Sequence, residues 1–259
     1  MAQYSLLLVD MDGVIWRGGI YVAKNIKALR ELQEKYKIVF MTNNSSLTRA
    51  ECLDKIKAVG VNSEISDIYT SSVLAAIYIE KRGVGRTFVI GEAGIYEELI
   101  ARGIPVVSEG PKVDYVVVGI DKYLTYHKLS KAANYIMNGA TFIATNEDPT
   151  YPVGDHLEPG AGAVVNFIKT VVGRGPDFVA GKPNTWVLEI ILSKYKLKKE
   201  EILVIGDSLH TDVPMGHRYG VDTLLVLTGV TSERELASAK IKPTYITRDL
   251  LEALELKII

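Results

Sequence analysis

Cysteine is nearly absent: Cys52 stands alone among 259 residues. An internal disulfide is therefore excluded, and no Cys/His cluster has zinc-ligand spacing. A reducing, cytoplasmic setting is the expectation. No apolar run approaches the roughly 20 residues that a membrane helix needs. The opening Met-Ala-Gln-Tyr-Ser lacks the basic stretch and cleavage pattern of a secretory leader. An excess of one charge is missing too: 30 Lys and Arg face 31 Asp and Glu, a formal net charge of -1. That balance argues against a nucleic-acid or acidic-membrane partner held by bulk positive charge. The tyrosines do not interleave with basic clusters, as single-strand binding would require. Glutamine occurs only at Gln3 and Gln33 beside abundant Lys and Glu, a bias associated with heat-adapted proteins.

What is present is an ordinary globular composition, 47% hydrophobic and 24% charged, in a chain near the upper size of one hydrophobic core. Short apolar runs at 5–9, 38–41, 86–90, 114–120, 141–144, 178–180, 202–205 and 223–227 alternate with segments of helical length at 23–36, 48–59, 72–81, 95–101, 126–137, 163–172, 185–195 and 215–219. This alternation predicts an α/β fold with a largely parallel, Rossmann-like sheet. Thr48 with Glu51 and Ser232 with Glu235 have the form of capping boxes that open helices.

Polar or glycine residues follow immediately after the runs ending at Val9, Met41, Ala180 and Ile205. In an open parallel sheet, ligands bind beyond the carboxyl ends of strands, so these four segments can converge although they lie near opposite ends of the chain. The middle carries its own strand and helix signals without matching acid clusters. The reading is a discontinuous core, 1–70 and 181–259, with an inserted α/β unit at 71–180.

Each strand end carries its own chemistry. Asp10 and Asp12, in Asp-Met-Asp-Gly, share one side of an extended chain. Two such charges about 4 Å apart cost roughly 4 kcal/mol at an effective dielectric near 20, which favours a shared proton or cation. Gly13 permits close backbone approach to a ligand; solvated turn aspartates are the plain alternative. Thr42, Asn43 and the residues after them offer hydroxyl and backbone N–H donors for an anion, or simply a cap and turn. Lys182, between Gly181 and Pro183, places a positive charge for a phosphoryl group or a carboxylate. Pro183 also suits helix initiation. Asp207 follows a run of four apolar residues and Gly206, where a carboxylate suits a hard cation. Asp212 can support that cation through water, orient Lys182, or cap a helix.

Taken in order, LLLVDMDGVIW, FMTNNSS, AGKP and LVIGDSLHTD resemble the four motifs of the haloacid dehalogenase-like (HAD) phosphohydrolase superfamily. The resemblance is to its NagD-type, 4-nitrophenylphosphatase-like branch, with a large C2-type cap between the second and third motifs. It implies a magnesium-dependent phosphatase acting on small phosphate monoesters. Asp10 would be the nucleophile that becomes an aspartyl phosphate, and Asp12 the general acid and base. Thr42 and the Asn43 backbone would bind phosphate, with Lys182 stabilising it. Mg2+ would be held by Asp10, the Asp12 carbonyl and Asp207, with Asp212 behind.

The resemblance also places substrate-contacting loops of the cap at 144–148 and 158–163, and related caps often mediate homodimers. The glycines at 160 and 162 partly mimic a dinucleotide fingerprint, but the third glycine and a clear preceding strand are missing. Trp16 reads as contacting substrate or as packing in a flap; His210 is the histidine nearest the motifs. Two rivals are a phospho-acceptor receiver and a catalytically silent phospho-ligand-binding protein. The receiver needs a separate acid on a later strand and about half this length.

Overall fold

The computed structural model describes residues 4–154 and 156–259; residues 1–3, which enter the reading of the chain's start, lie outside them. The chain opens with β1 (Leu6–Asp10), buried at all five positions, so it reads as an unbroken apolar run rather than an alternating one. There follow a hairpin of β2 (Trp16–Arg17) and β3 (Ile20–Tyr21), α1 (Ala23–Leu32), β4 (Lys37–Thr42), α2 (Arg49–Ala58) and β5 (Ile68–Thr70). Next come α3 (Ser71–Arg82), β6 (Thr87–Ile90), α4 (Ala93–Ala101), β7 (Tyr115–Val118), α5 (Tyr126–Met137) and β8 (Thr141–Ala144). An antiparallel hairpin, β9 (Thr150–Val153) and β10 (His156–Pro159), leads to α6 (Ala161–Val172) and β11 (Phe178–Val179). The chain finishes with α7 (Trp186–Tyr195), β12 (Ile202–Gly206), α8 (Asp212–Tyr219), β13 (Asp222–Val226), α9 (Glu233–Ser238), β14 (Tyr245–Thr247) and α10 (Leu250–Glu255).

Apart from the two hairpins, these strands form two parallel sheets. The larger has the order β14-β13-β12-β1-β4-β5, and the smaller β11-β8-β7-β6. Within the larger, β1 is central: Leu6 pairs with Ile202 of β12 on one side and with Lys37 of β4 on the other. The two ends of the chain thus build one sheet, in the α/β, Rossmann-like architecture expected, with a smaller α/β unit inserted.

Alternation along β1 sorts the core. Leu7 and Val9 join Phe40, Leu203 and Ile205 under α1, α2 and α10, through Leu29, Ile56 and Leu250. Leu6 and Leu8 face the other way, toward Leu74 of α3, Leu188 of α7 and Met215 of α8. That second cluster continues to Val89, Val117 and Ile143 of the smaller sheet, so α3 and α7 weld the two sheets.

Both capping boxes form: Glu51 N donates to Thr48 Oγ1 (3.2 Å) and Thr48 N to Glu51 Oε2 (2.8 Å), while Ser232 and Glu235 repeat the exchange. Two expectations need correction. Pro183 does not start a helix; it follows a cis peptide bond in the turn before α7, which begins at Trp186. A strand, β10, does lead into Gly160. Gly160 and Gly162 serve packing, because a Cβ on either would overlap the carbonyl oxygens of Asp148 and Glu147. The sequence reading also missed β5 and β14, edge strands of three residues each that lack a sustained apolar run.

Thr48→Ala removes the cap that α2 depends on. It is expected to lower unfolding free energy by about 1 kcal/mol, seen as a lower urea midpoint at unchanged slope.

Candidate active site

The carboxyl ends of the central strands open on a cavity of about 500 Å³ lined by Asp10, Asp12, Gly13, Thr42, Asn43, Lys182 and Asp207. Asp10 is the last residue of β1, Thr42 the last of β4, and Asp207 the first beyond β12. Lys182 lies three residues beyond β11, and Asp212 opens α8.

Lys182 organises the group. Its side chain is 3% exposed, and its Nζ lies 2.7 Å from both Asp10 Oδ1 and Asp212 Oδ1. Asn43 clamps the lysine's backbone: Lys182 N donates to Asn43 Oδ1 (2.8 Å), and Asn43 Nδ2 donates to Lys182 O (3.0 Å) and to Asp148 Oδ2 (2.8 Å). Asp212 does not cap α8; its second oxygen accepts from Ser208 N (3.2 Å). Its first oxygen meets the lysine.

Asp12 stands apart from this cluster. Its Oδ2 accepts from Thr42 Oγ1 (2.9 Å) and its Oδ1 from Trp16 Nε1 (2.9 Å). Since Thr42 Oγ1 already accepts from Asn44 N (3.0 Å), its one hydrogen is directed at Asp12. This corrects the expected repulsion: the carboxylates that press on Asp10 are those of Asp212 and Asp207. The chain turns after Asp10, so it is the turn that carries Asp12 to the cavity, not a continued two-residue period.

Asp207 Oδ2 accepts from Val230 N (2.6 Å). Gly13 (φ +86°) passes so close that any Cβ there would overlap the Asp207 carboxylate, as would one on Gly229. At Gly13 both the left-handed backbone and the close approach demand glycine.

Carboxylate oxygens of Asp10, Asp207 and Asp212 lie within 4.8 Å of one another. Burial, with Asp212 and Asp207 nearby, holds Asp10 well above the usual carboxylate range despite Lys182. Burial and Asp212 push Asp207 up to about 7. Burial works against the charge of Lys182, but Asp10 and Asp212 outweigh it and hold the ammonium above its ordinary range. For the two acids burial is the larger cause and neighbouring carboxylates add to it; for the lysine the carboxylates prevail over burial. Among the described residues nothing donates a hydrogen bond to Asp10 Oδ2 or Asp207 Oδ1. The uncommitted oxygen of Asp207, in an all-oxygen, negatively charged cluster, suits a hard divalent cation.

Residues that the sequence gives only as candidates also line or support this cavity. Trp16 was left open between substrate contact and packing; its indole bonds Asp12. Asp148, from the smaller sheet's loop, lines the cavity and is held above its ordinary range by burial. Asn146 Nδ2 donates to Asn43 O (2.7 Å), tying that loop to the second motif. His210 lines the cavity as well.

Comparison with known proteins agrees with this geometry. The family description "Haloacid dehalogenase-like hydrolase" matches residues 7–105, and "HAD-hyrolase-like" matches residues 179–253. An acid sugar phosphatase from Staphylococcus saprophyticus is 32% identical over 257 residues, covering 98% of each chain. The chain belongs to the haloacid dehalogenase-like hydrolases. The 4-nitrophenylphosphatase structure from Thermotoga maritima is 34% identical with a TM-score of 0.91, over 98% of this chain and 97% of that one. A glycerol phosphate phosphatase from Mycobacterium tuberculosis, solved with magnesium, is 30% identical with a TM-score of 0.87, over 96% and 75%. This HAD chain falls in the NagD-type, 4-nitrophenylphosphatase-like branch and is a phosphohydrolase, which sets aside the receiver and the silent binder.

The raised Asp207 sets a pH dependence. Without metal, the folded state keeps a proton that the unfolded chain has lost between about pH 4 and pH 7. That stability is fully present below about pH 4 and disappears as pH rises through about 7. Melting in EDTA is expected to show a Tm that falls across this window, and a shallower fall in Asp207→Asn.

Proposed function

We propose that this HAD hydrolase is a magnesium-dependent phosphatase of small phosphate monoesters, acting through an aspartyl phosphate on Asp10. One observation carries the reading: Lys182, buried and shared by Asp10 and Asp212, fixes Asp10 by one oxygen and leaves the other uncommitted in the cavity. A carboxylate so held is an oriented nucleophile.

The roles divide as follows. Thr42 Oγ1, the Asn43 backbone N–H and Lys182 Nζ bind the phosphoryl oxygens, and Gly13 lets the backbone approach. Asp10 Oδ2 forms a bond to phosphorus while the bond from phosphorus to the alcohol oxygen breaks. Asp12 delivers a proton to that departing oxygen. Asp12 then takes a proton from water as the water oxygen bonds to phosphorus, the acyl phosphate bond breaks, and Asp10 returns with inorganic phosphate. Asp10, Asp207 and the Asp12 carbonyl would hold magnesium, with Asp212 behind them. When bound, the ion offsets the charge of the carboxylates and the phosphoryl group.

Residues 71–180 serve in this reading as a cap over a core formed by 1–70 and 181–259. The loops at 144–148 and 158–163 meet the leaving group, and closure excludes water until it is seated. The names of the relatives, covering nitrophenyl, sugar and glycerol phosphates, support a small monoester.

Phosphate release from 4-nitrophenyl phosphate tests the mechanism. Activity is expected to vanish in EDTA and return with magnesium. Asp10→Asn is expected to lower kcat by about 10³-fold or more. Robust turnover in EDTA, or full activity in Asp10→Asn, would sink the proposal.

A further inference from the structure

We infer that Trp16 is the positioning residue for Asp12: its indole N–H anchors Oδ1 so that Oδ2 is the oxygen that exchanges the proton with the leaving group. The inference rests on the acid/base role proposed for Asp12.

The geometry begins with the backbone. Gly13 N donates to Trp16 O (2.6 Å), and Trp16 N to Met11 O (3.3 Å), so the indole and the carboxylate belong to one tight loop. Trp16 is 5% exposed. Tyr21 meets it edge-on, with centroids 6.4 Å apart, and Lys55 Nζ lies 5.3 Å from its centre. A rigid donor packed in this way cannot follow a rotating carboxylate; it fixes the carboxylate's plane.

The second donor to Asp12 is not permanent. Thr42 has a single hydroxyl hydrogen, and a bound phosphoryl oxygen competes for it. Once that hydrogen turns to the phosphoryl group, Oδ2 is released at the site where the alcohol oxygen departs. Trp16 then remains as the donor that keeps Asp12 in place. The hairpin of β2 and β3 that carries Trp16 is braced from above, because Gly18 packs against the backbone of Gly154 between β9 and β10. The β9–β10 hairpin is thereby one contact removed from the element that aims the acid.

A tryptophan that only fills space would affect all substrates alike. One that aims the proton donor matters most for a leaving group that cannot depart without a proton. An alkoxide is such a group, and 4-nitrophenolate is not. Trp16→Phe keeps most of the ring and removes the N–H. We expect the ratio of kcat/KM for glycerol phosphate to that for 4-nitrophenyl phosphate to fall about tenfold, since kcat/KM reports the step in which the leaving group departs. Benzothienylalanine at position 16, in a Trp186→Phe background, preserves the bicyclic shape with sulfur in place of N–H. It is expected to give the same split even if the phenylalanine variant folds poorly. Equal losses on both substrates, or no change in the ratio, would overturn the role of Trp16. Those results leave the Asp10 mechanism standing, whereas an active Asp10→Asn removes the premise itself.

Discussion

The site depends on one buried ammonium. Lys182 is buried between two carboxylates, and its contacts at 2.7 Å to Asp10 and Asp212 decide which oxygens remain free. A lysine taken so far from water is costly unless its partners are close and themselves hydrogen-bonded. Here Asp212 is tied to Ser208 N and Asp10 to Met11 N. The cluster remains short of positive charge, which suits it to a divalent cation; in the proposed mechanism magnesium would supply that charge.

Holding Lys182 in place draws in the rest of the molecule. Its loop follows the last strand of the smaller sheet, yet its charge is used at the ends of β1 and α8. The Asn43 side chain spans that gap by clamping the lysine's backbone, and its third bond reaches Asp148 in the loop after β8. One amide therefore connects the second motif, the lysine and the loop after β8. The continuous apolar cluster through α3 and α7 gives that connection a stiff support.

Three of the strands that carry the motifs, β1, β4 and β12, were legible because each is buried almost throughout and reads as an apolar run ending in chemistry. Asp10, Thr42 and Asp207 follow directly from that rule. The edge strands β5 and β14 were not legible: half their environment is solvent or loop, and three residues give no period. The hairpin of β9 and β10 escaped for a similar reason, with exposed and half-buried residues such as His156 and Leu157 in place of an apolar run. The Asn43 side chain was hidden because its partners lie 105 and 139 residues away. Trp16 was ambiguous because an aromatic beside an acid looks the same whether it packs or donates.

By itself the sequence determined the α/β alternation, the insertion between the second and third motifs, and the residue types available at each strand end. These are local properties, written in apolar period, capping chemistry and turn residues. Only the tertiary structure decided which carboxylates repel one another, which oxygens stay uncommitted, and that Asp12 is held by Trp16 and Thr42 while Asp10 is held by Lys182. Those outcomes follow from parallel strands bringing distant loops within 3 Å, where burial magnifies every charge. No pattern along the chain records that distance.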